Sequence, residues 1–109
     1  MKDYNKTIFI KISDNNDHHS FYIDISTMKD PRLRMSAIKT QYQKYLETGD
    51  LYRSIYDIMD KDYSFYCLHK ANCESLDEAK IIKEQLLKEQ IEKVKNAPQR
   101  IKNGLITFD

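Results

Sequence analysis

Two alternating segments in quick succession, Thr7–Ser13 and Ser20–Ser26, followed at once by the helix-opening pair Asp30-Pro31, constrain this chain more than any other feature. In the first segment Ile8, Ile10 and Ile12 share one side and Phe9 and Lys11 the other. In the second, Phe21, Ile23 and Ile25 oppose Tyr22, Asp24 and Ser26. Side chains alternate along a strand, so this period of two predicts a pair of strands in a half-buried sheet with one polar face, towards which Tyr22 projects. The six residues between them, Asp14–His19, are polar and lack glycine, which predicts a loose loop rather than a tight turn. Asp30 as N-cap and Pro31 at the first helical position open a helix that carries Arg32 and Arg34. The rest of the chain must pack on this unit.

Along that helix Leu33, Ala37, Ile38, Tyr42, Tyr45 and Leu46 recur at helical spacing, and Gly49 supplies a stop. Asp50 is expected to cap a second, shorter helix with Leu51, Ile55, Ile58 and Met59 along one side, broken by Asp60-Lys61-Asp62. Tyr63–Lys70 is aromatic and alternating and reads as a third strand. Ser75 with Glu78 forms a capping box that opens a last helix, expected to run to about Asn96, with Glu84–Lys88 and Glu89–Lys93 pairs. Its early apolar residues (Leu76, Ala79, Ile82 and Leu86) can face the sheet. Leu87, Ile91 and Val94 are displaced around the helix and are expected to extend past the domain towards a partner. Pro98 ends the helix, and Gly104–Phe108 is a short apolar segment that either adds an edge strand or docks on another chain. Residues 1–6 are polar and are expected to fray.

At 109 residues the chain can form one small core. No apolar run approaches the roughly 20 residues that span a bilayer, and no signal-peptide pattern opens the sequence, so an intracellular protein without membrane contact is expected. Lys and Arg number 18 against 17 Asp and Glu, a balance that weighs against a dedicated nonspecific duplex binder. Cys67 and Cys73 are expected to be reduced thiols. Together with His69, and with His18 or His19 as a fourth ligand, they suggest zinc, but the spacing matches none of the usual paired-ligand patterns. Abundant Lys, Asn, Ile, Asp and Tyr with few Gly, Pro or Ala indicate an AT-rich coding sequence, as in large DNA viruses and low-GC microbes.

The order β–β–α–α–β–α with these lengths resembles the GIY-YIG nuclease domain over about residues 6–90. Ile8-Phe9-Ile10-Lys11-Ile12 stands where the family has its Gly-Ile-Tyr strand, and Tyr22-Ile23-Asp24 where it has Tyr-Ile-Gly. Either Arg32 or Arg34 stands for the family's helix arginine, Arg34 fitting better if Ile38-Lys39 replaces a His-Lys pair. Leu76–Ala79 followed by Glu84 resembles the last helix, making Glu84 the metal glutamate and Glu78 the fallback. The resemblance implies a phosphodiester-cleaving site in which Tyr22 serves the general base, Arg34 stabilises charge on phosphorus and Glu84 holds one divalent cation such as Mg. Asp24 adds a second carboxylate that could rebuild a cation site with Glu84. The chain departs from the family pattern at Ile10, which cannot relay a proton, at Asp24 in place of glycine, and at Ile38 or Ser36 in place of histidine. Loss of a general base alone costs about 10²–10⁴ in rate.

The expectation is therefore an α+β fold with a three-stranded, mainly antiparallel sheet flanked by helices. Residues 1–97 would form a single GIY-YIG-like domain, and 98–109 a C-terminal tail. The leading function is a catalytically degenerate nuclease-like module reused for protein interaction or assembly through the C-terminal helix and tail, in a virus particle if the protein is viral and otherwise in cytoplasm or nucleus. The alternatives are a divergent metal-dependent DNA endonuclease using Tyr22, Arg34 and Glu84, and a nucleic-acid-binding module without cleavage using Arg32, Arg34 and Lys39. No cofactor is expected unless the site is active.

Overall fold

β1 (Thr7–Asp14) and β2 (Phe21–Ser26) pair antiparallel, with Ile10 opposite Asp24 and Ile12 opposite Tyr22. These contacts come from a computed structural model that describes residues 6–16, 20–94, 100–102 and 105–107. α1 (Pro31–Thr48) follows, then the single turn α2 (Tyr56–Met59), β3 (Tyr63–Ala71), α3 (Leu76–Lys93), and the short strands β4 (Arg100–Lys102) and β5 (Leu105–Thr107). Up to α3 the order is the one read from the sequence, and the class is α+β. The expectations for residues 1–5, for His18 and His19, and for Asn96, Pro98, Gly104 and Phe108 concern positions outside the described residues.

The three-stranded sheet is corrected to five strands in the order β3-β1-β2-β5-β4, with every pairing antiparallel. The extra two come from the tail, because β5 joins the outer edge of β2 through Phe21 and Ile106. Leu105 and Ile106 are both buried, one in each of the cores described below. Of the two fates open to this apolar segment, the chain uses its own sheet edge.

The single polar face is also corrected, because both faces of the sheet are covered. α1 and α2 bring Met35, Ile38, Ile55 and Ile58 onto Ile8, Ile10 and Ile12. α3 brings Ala79, Leu86 and Leu87 onto Phe9, Phe21 and Ile23. Each such buried aliphatic or aromatic side chain contributes about 2 kcal/mol of transfer free energy. Asp24 and Ser26, expected to meet water, lie under α1 at 4% exposure. Ser26 is satisfied locally, its Oγ accepting from the Met28 N–H at 3.0 Å. Leu87, Ile91 and Val94 do not overrun the domain but pack on the same core as Ala79, which Ile106 widens on that side.

The local signals at helix ends hold. The Asp30 side chain accepts from the Arg32 N–H at 2.9 Å, and Gly49 closes α1 in the left-handed region at φ 74°. Ser75 Oγ accepts from the Glu78 N–H at 3.2 Å, while Glu78 Oε2 accepts from the N–H of Glu74, one residue before the usual partner. The second helix is shorter than expected, and Asp50 does not cap it. After Gly49 the backbone takes a second left-handed residue, Leu51 at φ 59°, which spoils helical continuation and leaves Leu51 84% exposed. Cys73 lies in the α3-side core and Cys67 against the α1-side core, so the two thiols lie on opposite sides of the sheet and cannot share a zinc ion.

Candidate functional site

The alternation of β2 sends Asp24 under α1, and a carboxylate buried there needs a counter-charge. Arg34, one turn into α1, supplies it in a bidentate fork, Nε to Oδ2 at 2.8 Å and NH2 to Oδ1 at 3.3 Å. A paired guanidinium and carboxylate form short, directional, charge-assisted bonds, and that hydrogen bond holds the Arg34 pKa above its ordinary value. Arg53, in the segment between α1 and α2, reaches the other oxygen from 3.9 Å. It is steadied by a 3.1 Å hydrogen bond from its NH1 to Gln41 Oε1.

A third cation arrives from the opposite face. Lys83 of α3 reaches Tyr22 of β2, its Nζ lying 5.3 Å from the centre of the ring. Burial pushes its pKa below that of a free lysine, and Lys80 and Arg53 add to the shift while Asp24 and Glu84 oppose it. Arg34 and Arg53 thus share the Asp24 carboxylate with Lys83 nearby, and with Glu84 beside Lys83 the three cations face two carboxylates, an excess of one positive charge. The Arg34 and Arg53 side chains keep 21% and 34% of their surface exposed, so an anion can approach them.

The residues singled out from sequence divide clearly. Tyr22 and Arg34 do come together, with Asp24 between them. Arg32 turns back onto its own N-cap, NH2 to Asp30 Oδ2 at 3.1 Å, with its side chain 84% exposed. Lys39 points to β3, with Nζ 5.9 Å from the centre of the Tyr63 ring. Glu84 is exposed on α3 beside Lys83. Ile10 is fully buried opposite Asp24.

The set around Asp24 does not fit a divalent cation. Its carboxylate is already shared by two guanidinium groups with an ammonium nearby, and among the described residues no three acidic, His or Cys side chains converge. No helix among the described residues is long and apolar enough to cross a membrane.

The chain matches no family model, no curated protein and no solved structure. Its site must be read from its own chemistry. Arg53 and Lys83 were missed by the sequence reading. Arg53 lay in a segment expected to be helical. Lys83 did leave a signal, since it occupies the apolar stripe Ala79–Ile82–Leu86 of α3, where a lysine must either pair or reach solvent.

Proposed function

We propose that this protein is a nuclease-like module of GIY-YIG type that binds phosphodiester groups without cleaving them. The observation that carries the reading is the gathering of Arg34, Arg53 and Lys83 near Asp24, three cations against the two carboxylates of Asp24 and Glu84. Guanidinium forks and an ammonium offer the donors that phosphate oxygens accept, and the Tyr22 ring provides a flat wall beside them. Cleavage is disfavoured by the same geometry. Ile10 offers no proton relay, Asp24 engages the arginine that would stabilise phosphorus, and Glu84 is exposed beside Lys83, whose charge it offsets.

The test is a fluorescence-anisotropy titration of a labelled single-stranded oligonucleotide at low salt, followed on a gel with Mg present. Binding that steepens with falling salt, with the slope reduced by about one for Arg53→Ala and again for Lys83→Ala, is the expected result. Absence of binding at concentrations of about 1 mM would overturn it. Mg-dependent cleavage abolished by Glu84→Ala would restore the endonuclease reading.

The protein-interaction reading loses the support it drew from the C-terminal helix and tail, whose apolar residues Leu87, Leu105 and Ile106 are spent within the chain's own cores. A different surface favours it. Leu46 and Tyr52, exposed at 56% and 41%, flank a tyrosine cluster between α1 and α2.

A further inference from the structure

We propose that the groove between α1 and α2 docks a basic segment of a partner protein, with one lysine or arginine side chain seated against Tyr42 and Tyr45 and between the carboxylates of Asp57 and Asp60. This site lies apart from the Asp24 cluster and does not depend on the phosphodiester reading. The groove has a volume of about 570 Å³ and one wall built of phenol rings. Tyr56 is the buried keystone, with the Tyr42 and Tyr45 rings each centred 5.2 Å from it and Tyr52 5.7 Å from Tyr45. Packing of this kind holds the rings rigid, so a ligand meets them with little further ordering cost.

Charge selects the occupant. Among the described residues the groove carries the carboxylates of Asp14, Asp57 and Asp60 against one cation, Lys61. Lys61 Nζ lies 3.4 Å from Asp14, so an ammonium is already accommodated at this wall and Asp14 is spoken for. Asp60 is held in place by the Tyr42 hydroxyl, which donates to its Oδ1 at 3.2 Å, and Asp57 is exposed in the first turn of α2. Two carboxylates thus remain beside ring faces that attract cations through their quadrupoles. An acidic or wholly apolar partner would strip water from those carboxylates and return nothing, whereas a basic side chain compensates both. The neighbouring groove of about 860 Å³ shares Tyr45, Tyr52 and Tyr56 but carries Lys44 and Arg53 against the single carboxylate of Asp50, beside the outward Leu51. The cationic residue is therefore directed to the first groove.

The experiment is an NMR titration of the labelled full-length protein with a capped peptide of alternating lysine and leucine, and with its glutamate-for-lysine counterpart. The expected result is saturable shifts confined to α1 and α2, with a dissociation constant below about 1 mM for the basic peptide and no binding of the acidic one. The double variant Asp57→Asn/Asp60→Asn, both positions being exposed, should keep the amide fingerprint and weaken the basic peptide roughly tenfold. Equal binding of both peptides, shifts lying outside the groove, or no saturation by the basic peptide would each overturn the proposal. Displacement of bound peptide from these same amides by an oligonucleotide would overturn it too.

Discussion

Asp24 decides the character of the site. It turns what would be an open pair of arginines into a partly compensated cluster, and it does so from a buried position. Asp24→Asn keeps the shape and removes the charge. Breaking a fully buried ion pair costs about 3–5 kcal/mol, and the partial exposure of Arg34 and Arg53 reduces the expected loss to about 2 kcal/mol in a urea melt. The same variant should bind oligonucleotide more tightly, because the released cations raise the net positive charge facing the ligand; a salt titration would read this as a steeper slope. Lys83 gives the site a pH dependence. Its pKa is lowered by burial, so it loses its proton below 10.5, and anion affinity should begin to fall before an ordinary lysine would titrate. The sign for stability is opposite. The charged form is the one disfavoured in the fold, so the destabilisation by Lys83 is fully present below its folded pKa and is relieved as pH rises from there towards 10.5. Lys83→Arg should abolish the fall in affinity over this window, measured by anisotropy at a series of pH values.

Among the elements, those with local signals were legible in the sequence and those that depend on distant partners were not. Asp30-Pro31 and Gly49 bound α1, and Ser75 opens α3, because capping is settled within a turn of chain. The strands β1, β2 and β3 follow from their alternation. What covers a strand face is settled elsewhere, which is why the Tyr22–Asp24–Ser26 side read as solvated and proved to be under α1. The tail strand was ambiguous for the same reason, since an apolar segment of this length suits any unpaired edge. Its weight in the fold is testable. Ile106 is 1% exposed in the α3-side core, so Ile106→Ala should cost about 2–4 kcal/mol, and calorimetry should show a fall in melting temperature with no dependence on protein concentration. A concentration-dependent transition would instead assign the segment to contact between chains.

At the scale of the whole molecule, the fold is a sheet clasped by helices on both faces, with its two candidate surfaces set by different chemistry. One is cationic, where α3 reaches past β2 to the Asp24 cluster; the other is aromatic and acidic, between α1 and α2. A near-neutral composition conceals this segregation, because the charges of each sign are gathered rather than mixed.

The pairing of Phe21 with Ile106 has a kinetic meaning. β1 and β2 are neighbours in sequence and can zip together within microseconds, whereas the edge of β2 is closed by a segment from the far end of the described chain. Contacts between residues so distant along a chain are entropically late, and they slow the approach to the native state. β5 covers the edge of β2 beside Phe21, so a chain without this pairing would offer that open edge to other chains.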